Sequence, residues 1–386
     1  MLFWHLERFI PRNRYKWVFG AWFGDKYADN SRYLYEYVLK EKPSIKAIWL
    51  TNNKSVFNRL NKENKPVAML SSLKGKLFAL TSKFAFITVE RKEVNGFYLN
   101  GAKLIWLYHG MLMKYVMDDE KRFIEQQNPN KHNIRRSLSN FMFPYLRGYN
   151  VGSIIVTSEF FKPFFSSAFN VDTSKVWCDG YPRNDEFFTL DNEKIIQKYR
   201  VKYPSAKFII HMPTHRIHGL KGSPFNPFEG YGFDQANFIE VLEKGNYVYF
   251  YKGHFYDTSS NVSIKCDRFV RITDQDFDSL YKLIKDMDIL ITDYSSIYFD
   301  FLLLQRPIIL TPFDYDSYIT KERPLYYDYN EHIQANKVNN WDELVKLLKN
   351  KTFERPKEAL VRKYMKDIDG NSCKRIVDHI EKVWMK

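Results

Sequence analysis

Short apolar runs recur along the chain, each followed by a stretch with helical spacing of its apolar positions. Lys16-Trp17-Val18-Phe19-Gly20 reads as the first strand. After a glycine-bearing loop, Asp29, Asn30 and Ser31 supply side chains suited to capping a helix that runs on from Arg32 through Leu39. Further strands are predicted at 45–51, 84–88 and 104–108. A polar, basic helical region around 120–147 follows, and then the pattern restarts with strands at 153–157, 176–178, 208–212, 247–251, 289–292 and 307–310. Strand and helix alternating in this way predict parallel sheets with helices on both faces. Two such halves in series predict an α/β chain of two Rossmann-like domains facing each other across a cleft. The boundary is expected near 165–185, with Gly180-Tyr181-Pro182-Arg183 as the link. The resulting division is 1–170, 171–365 and a C-terminal helix over 366–386 that packs back on the first domain, with basic helices from about 340 onward.

Composition adjusts this picture without changing it. A chain of 386 residues suits two α/β domains, and a 45% apolar, 17% aromatic content argues against long disordered tracts. The three cysteines, Cys178, Cys266 and Cys373, are far apart and odd in number. They fit neither a disulfide framework nor a CxxC metal site and suit a reducing cytosol. The net charge of +14 points to a polyanionic partner: nucleic acid, acidic lipid or an acidic polymer. The first residues lack the apolar core of a signal peptide, and no stretch is apolar enough to span a bilayer, so a cytoplasmic protein is expected. Phe3, Trp4, Arg8, Arg12, Arg14, Lys16 and Trp17 interleave aromatic and basic side chains, as peripheral segments on the inner face of a membrane do. The plain alternative is that they pack a first helix and strand.

Candidate chemistry gathers at strand ends. Ile289-Leu290-Ile291-Thr292-Asp293 leads into Tyr294-Ser295-Ser296, where a serine caps the next helix. Free backbone N–H groups, the helix dipole and two hydroxyls make such a junction either a phosphate site or an ordinary cap. Tyr251-Lys252-Gly253-His254 ends another strand at the same sheet edge, and Lys252 adds a fixed charge. His211-Met212-Pro213-Thr214-His215-Arg216 ends a third, with a hydroxyl at Thr214 and a guanidinium at Arg216 suited to phosphate. In the first half, Trp106-Leu107-Tyr108-His109-Gly110 ends a strand with a histidine placed to take a proton from a hydroxyl. His211, His215 and His218 are close in sequence but lack cysteine or carboxylate partners at metal-ligand spacing, so no metal is expected. There is no GxxxxGK[ST] loop, no HExxH and no GxSxG.

Together these segments resemble the CDP-glycerol glycerophosphotransferase family, which includes wall teichoic acid primases and polymerases. The resemblance runs in order through Tyr27-Ala28-Asp29-Asn30-Ser31-Arg32-Tyr33-Leu34, Trp106 with His109 to Lys114, Thr157-Ser158-Glu159, Gly180 to Asp185, Met212 to Arg216, Lys252 to His254, Thr292 to Ser296, and Arg306-Pro307. It implies a GT-B fold with an acceptor domain and a donor domain, and no required cofactor or metal. It implies His109 as general base and His254 as stabiliser of the donor pyrophosphate. Ser295, Ser296, Arg216, Thr214 and Lys252 would help bind that donor. Asn30, Ser31 and Lys114 fall on the acceptor side, and Arg183, Asp185 and Asp293 are further motif positions. Met111-Leu112 stand where the family usually shows Thr-Pro, Tyr108 stands for a Trp, and His215 stands where Trp is frequent. The implied activity is transfer of glycerol phosphate, or a related polyol phosphate, from a CDP-alcohol to a lipid-linked or polymeric cell-surface glycan, with CMP released. Teichoic acid and capsule acceptors both remain open.

Two other readings stand beside it. One is a GT-B glycosyltransferase using a nucleotide sugar in capsule or surface polysaccharide synthesis. The other is a nucleic-acid-binding protein, which the charge alone suggests and which no RRM, KH, helix-turn-helix or zinc-finger signature supports.

Overall fold

The computed structural model describes residues 6–127, 151–214, 216, 226–253, 264–322 and 324–385. The chain divides into two compact units. One comprises Met1–Met111, Val116–Asp185 and Lys366–Lys386; the other comprises Leu112–Tyr115 and Glu186–Met365. The division thus falls at 185/186, not at 170, because Gly180 to Asp185 belong with the first unit. Tyr181, Pro182, Arg183 and Asn184 are buried there instead of forming an exposed link.

Among the described residues the first unit holds a parallel sheet of β1 (Asn13–Phe19), β2 (Lys46–Thr51), β3 (Val67–Met69), β4 (Ser82–Ile87), β5 (Lys103–Trp106), β6 (Val151–Ile155) and β7 (Val176–Trp177). The spatial order is β3-β2-β1-β4-β5-β6-β7. Strands covered on both faces must be apolar throughout. At the centre Trp17, Phe19, Phe84 and Phe86 are fully buried. Phe19 stacks on Phe86 with ring centroids 4.4 Å apart. The helix Asp29–Glu41 packs Leu34, Tyr35 and Val38 onto the sheet.

The second unit holds β8 (Lys207–Met212), β9 (Tyr247–Tyr251), β10 (Phe269–Arg271), β11 (Ile289–Thr292), β12 (Ile308–Leu310) and β13 (Asn336–Lys337). They form a second parallel sheet in the order β10-β9-β8-β11-β12-β13. Ile209, Tyr249, Ile291 and Ile309 build one core layer with Phe238 and Trp341. The Trp341 indole is satisfied by the Pro227 carbonyl at 2.6 Å.

Helix Ser372–Trp384 belongs to the first unit. The Asp185 carboxylate accepts the backbone N–H groups of Ser372 and Cys373, both at 2.8 Å, and so satisfies donors that a helix start leaves open. His379 stacks on Trp177 with centroids 3.7 Å apart, and Trp384 lies against Phe84. Gly180 meets this helix with φ +83°, and a Cβ there would stand 2.6 Å from the Ser372 hydroxyl.

Part of the interleaved basic and aromatic segment near the start is consumed inside the unit. Arg12 donates to the carbonyls of Ala79, Ser82, Tyr98 and Asn100, and Trp17 is in the core. Phe3 and Trp4 lie outside the described residues. Among those described, no helix is long and apolar enough to cross a membrane.

Candidate active site

In an open parallel sheet, ligands collect beyond the carboxyl ends of the strands, where the strand order reverses direction. In the first sheet that point is between β1 and β4. The loops that leave β1, β4 and β5 there carry Trp22, Thr88 and His109. Four residues of these loops and the helix start beside them that are not glycine adopt left-handed backbone: Trp22 (φ 48°), Phe23 (φ 61°), Asp29 (φ 62°) and Tyr108 (φ 53°). Each such residue costs on the order of 1–3 kcal/mol, and strain of this kind gathers at functional sites. Gly20, at the end of β1, is required for a different reason: a Cβ would stand 2.3 Å from the Glu93 carbonyl oxygen.

His109 is half-buried between two aromatic rings, with centroids at 4.3 Å from Tyr108 and 5.4 Å from Trp22. Its Nδ1 lies 3.4 Å from the Thr88 carbonyl oxygen. A carbonyl only accepts, so Nδ1 carries the hydrogen and Nε2 holds the lone pair. Burial holds the imidazole below its usual pKa, assisted by Arg183 and opposed by Asp29 and the Thr88 carbonyl. The ring is therefore neutral at neutral pH and able to accept a proton at Nε2.

The surrounding motif residues hold this loop set together. Arg183 donates from Nη1 to Asp29 and to the His109 carbonyl, both at 2.8 Å. The Asn30 amide donates to the Leu107 and Tyr108 carbonyls and accepts the Arg183 N–H. Ser31 is fully buried, and its hydroxyl has no hydrogen-bond partner among the described residues. Lys114, expected on the acceptor side, falls in the second unit, where its ammonium lies over the Tyr318 ring.

In the second sheet the order reverses between β8 and β11. Asp293, just past β11, accepts the Thr214 and Tyr294 N–H groups through Oδ1 and the Arg216 guanidinium through Oδ2. Burial disfavours its charge, yet Arg216 and the Thr214 bonds outweigh burial and hold the carboxyl below its usual pKa. Arg216 also pairs with Asp314 at 2.8 Å and donates to the Thr214 carbonyl. It is placed as the anchor of this edge, bound to two carboxylates, where the sequence reading gave it a phosphate. Lys252 pairs with Asp274 at 2.9 Å. The Thr214 hydroxyl and His211 Nε2 have no hydrogen-bond partner among the described residues. The expected serine cap is present only as a long bond at 3.4 Å from the Ile297 N–H to the Ser295 hydroxyl, and Ser296 makes no side-chain cap. His254, together with His215, lies outside the described residues.

Residues 2–382 match the model of the CDP-Glycerol:Poly(glycerophosphate) glycerophosphotransferase family. The chain belongs to this family. It is 26% identical over 383 residues to a teichoic acid glycerol-phosphate transferase of Staphylococcus aureus, covering 94% of this chain and 92% of that one. It is 32% identical over 240 residues to a teichoic acid poly(ribitol-phosphate) polymerase of Bacillus spizizenii, covering 60% of this chain and 37% of that one. The chain spans 37–44% of the length of the first three curated relatives, all polymerases. A solved variant of the wall teichoic acid polymerase TagF superposes with a TM-score of 0.75 at 21% identity, covering 96% of this chain and 89% of that one. That likeness establishes the shared α/β fold.

The sequence reading missed Trp22, Thr88 and Glu93. A signal was present: Glu90 and Glu93 stand three apart directly after the apolar run 84–88, the spacing of a capping box, which the structure contains.

Proposed function

We propose that the chain transfers glycerol phosphate, or a related polyol phosphate, from a CDP-alcohol to a polymeric or lipid-linked surface glycan. The observation that carries this reading is His109, neutral, with its Nδ1 facing a backbone carbonyl and Nε2 left as a proton acceptor. The acceptor hydroxyl attacks the β-phosphorus of the donor, and its proton passes to Nε2. The bond between that phosphorus and the bridging oxygen breaks, and CMP leaves with the oxygen. Proton removal at this position typically contributes about 10²- to 10⁴-fold. On the donor side, the Thr214 hydroxyl makes no well-formed hydrogen bond among the described residues and can turn to a phosphate, and Asp293 with Arg216 fixes the loop that carries it. Ser295, Ser296, Lys252 and His254 complete the proposed donor set. No metal or cofactor is required in this scheme, so transfer should persist in EDTA.

The test is incubation with CDP-glycerol, CDP-ribitol and a panel of UDP- and GDP-sugars, with teichoic acid linkage lipid and capsule chains as acceptors. Mass spectrometry of the products reads the outcome. Transfer from a CDP-alcohol, abolished in His109→Ala, is the expected result. Transfer from a nucleotide sugar alone would establish the glycosyltransferase reading instead.

The same reading places the enzyme where its acceptor lives, on the inner membrane face. Helix Leu73–Thr81 exposes Leu73 and Leu77, one turn apart, flanked by exposed Lys74 and Lys76. Apolar and basic groups on one face suit shallow contact with anionic lipid.

A further inference from the structure

Glu93 is fully buried in the first unit, a costly place for a carboxylate unless its oxygens are satisfied. Oε1 accepts the N–H groups of Val89 at 2.8 Å, Glu90 at 3.2 Å and Phe23 at 3.3 Å. Oε2 accepts the Thr88 N–H at 2.8 Å. The Thr88 hydroxyl lies 3.3 Å from Oε1 and in turn accepts the Trp22 N–H at 3.2 Å. Glu93 therefore fixes both loops that flank His109, the one after β1 and the one after β4.

One of these bonds has a particular chemical reach. The Val89 N–H and the Thr88 C=O belong to the same peptide group. On the N–H side that group faces the Glu93 carboxylate. On the C=O side it accepts the Trp106 indole N–H at 3.1 Å and faces His109 Nδ1 at 3.4 Å. A negative acceptor on the N–H of an amide draws its hydrogen and increases the negative charge on its oxygen, because hydrogen bonds in a chain polarise one another. The Thr88 oxygen then becomes a better acceptor for Nδ1–H, and Nε2 becomes more basic.

We propose that Glu93 is a positioning residue for His109, acting through the Thr88–Val89 peptide group. It fixes the Nδ1–H tautomer and raises the proton affinity of Nε2. The arrangement is a carboxylate–amide–imidazole series in which a peptide bond stands between the acid and the ring. This proposal rests on the reading of His109 as the base. Among the described residues, the other charged groups that act on His109 are Asp29, which favours its protonation, and Arg183, which opposes it. Burial pushes the Glu93 carboxyl up to about 7, against the pull of the Thr88, Val89, Glu90 and Phe23 N–H groups. The series is thus fully charged only above neutrality.

The test compares Glu93→Gln with the unsubstituted chain in kcat/KM for CDP-glycerol transfer across pH, with the thermal midpoint of each recorded. The expected result is a fall in kcat of about tenfold at pH 7.5, a fraction of the roughly 10²- to 10⁴-fold that the base itself contributes, an acid limb moved to lower pH, and an unchanged KM for CDP-glycerol. An unmoved pH profile in a folded Glu93→Gln protein overturns the proposal. A second measurement needs no folded variant at position 93. In the native protein labelled with 15N-histidine, the His109 signal is assigned by its loss in His109→Ala. It should report Nδ1–H as the neutral tautomer and show a second inflection as Glu93 titrates near pH 7. An Nε2–H tautomer, or a single inflection, overturns the proposal. Full transfer by His109→Ala would remove the base itself. An inactive His109→Ala beside an unaffected Glu93→Gln removes only the series.

Discussion

Arg183 pairs with Asp29 across 154 positions of sequence, at 2.8 Å, with the two side chains only 4% and 7% exposed. The pair ties the segment after β7 to the start of helix Asp29–Glu41, and the same Arg183 nitrogen reaches the His109 carbonyl. Removing one member of a buried pair strands the other charge and costs about 3–5 kcal/mol. Arg183→Met should therefore lower the urea midpoint sharply and reduce transfer. Asp29→Asn in the same chain should recover part of the loss, because asparagine tolerates the left-handed backbone at that position. Equal midpoints for single and double variants would mean the pair is not the source of the effect.

Thr214 allows binding to be separated from folding. Among the described residues its hydroxyl makes no well-formed hydrogen bond and adds only to the field that favours the Asp293 carboxylate, so Thr214→Val deletes at most a weak contact. Stability should stay within about 0.5 kcal/mol of the parent. A hydrogen bond to a charged phosphate is worth about 1.5–3 kcal/mol, so the Kd for CDP-glycerol should rise roughly ten- to a hundredfold. Calorimetric titration reads this directly, and an unchanged Kd would place the donor phosphates elsewhere.

His211 makes the second unit sensitive to acid. Nδ1 shares a 2.7 Å hydrogen bond with the Tyr249 hydroxyl, and burial, only partly offset by Asp293, pushes the imidazole down to about 4. The folded state therefore refuses a proton that the unfolded chain takes up near 6.5. Stability is unaffected above that pH and falls as pH drops from about 6.5 toward 4, by up to about 3 kcal/mol from this group. Denaturation midpoints at pH 7, 6 and 5 should show the decline in the parent and a flatter dependence in His211→Phe. Parallel declines would assign the acid sensitivity to other groups.

Membrane contact through Leu73 and Leu77 predicts co-sedimentation with anionic liposomes at low salt, fading as the Debye length falls below about 8 Å. Leu73→Ser with Leu77→Ser should weaken it, since the two side chains are 73% and 50% exposed and lie outside the core. A protein that remains in the supernatant at low salt would rule out docking by this face.

Most of the sheet framework was legible because central parallel strands are continuous apolar runs. The runs at 247–251 and 289–292 coincide with β9 and β11. β3, β10 and β13 were missed: strands of two or three residues at or near a sheet edge carry too little pattern to be distinguished from loop. His109 was readable as a polar residue after an apolar run. What surrounds it was not, because its partners come from distant loops. The Gly180 to Arg183 segment has the composition of a linker, yet Arg183 makes it part of the His109 loop set. Arg216 carries the charge expected of a phosphate ligand, but Asp314, which occupies it, stands 98 positions away. Sequence spacing gives no measure of such pairings.

Helix Ser372–Trp384 gives the chain a nested order: the first unit is interrupted by the second and completed after it. During synthesis, residues 186–365 can emerge and pack while the sheet carrying His109 still lacks the side chains that cover Trp177 and Phe84. A premature stop just after Met365 would leave the second unit's own residues intact and would strike the half that holds the base, although nothing near His109 in sequence had been altered.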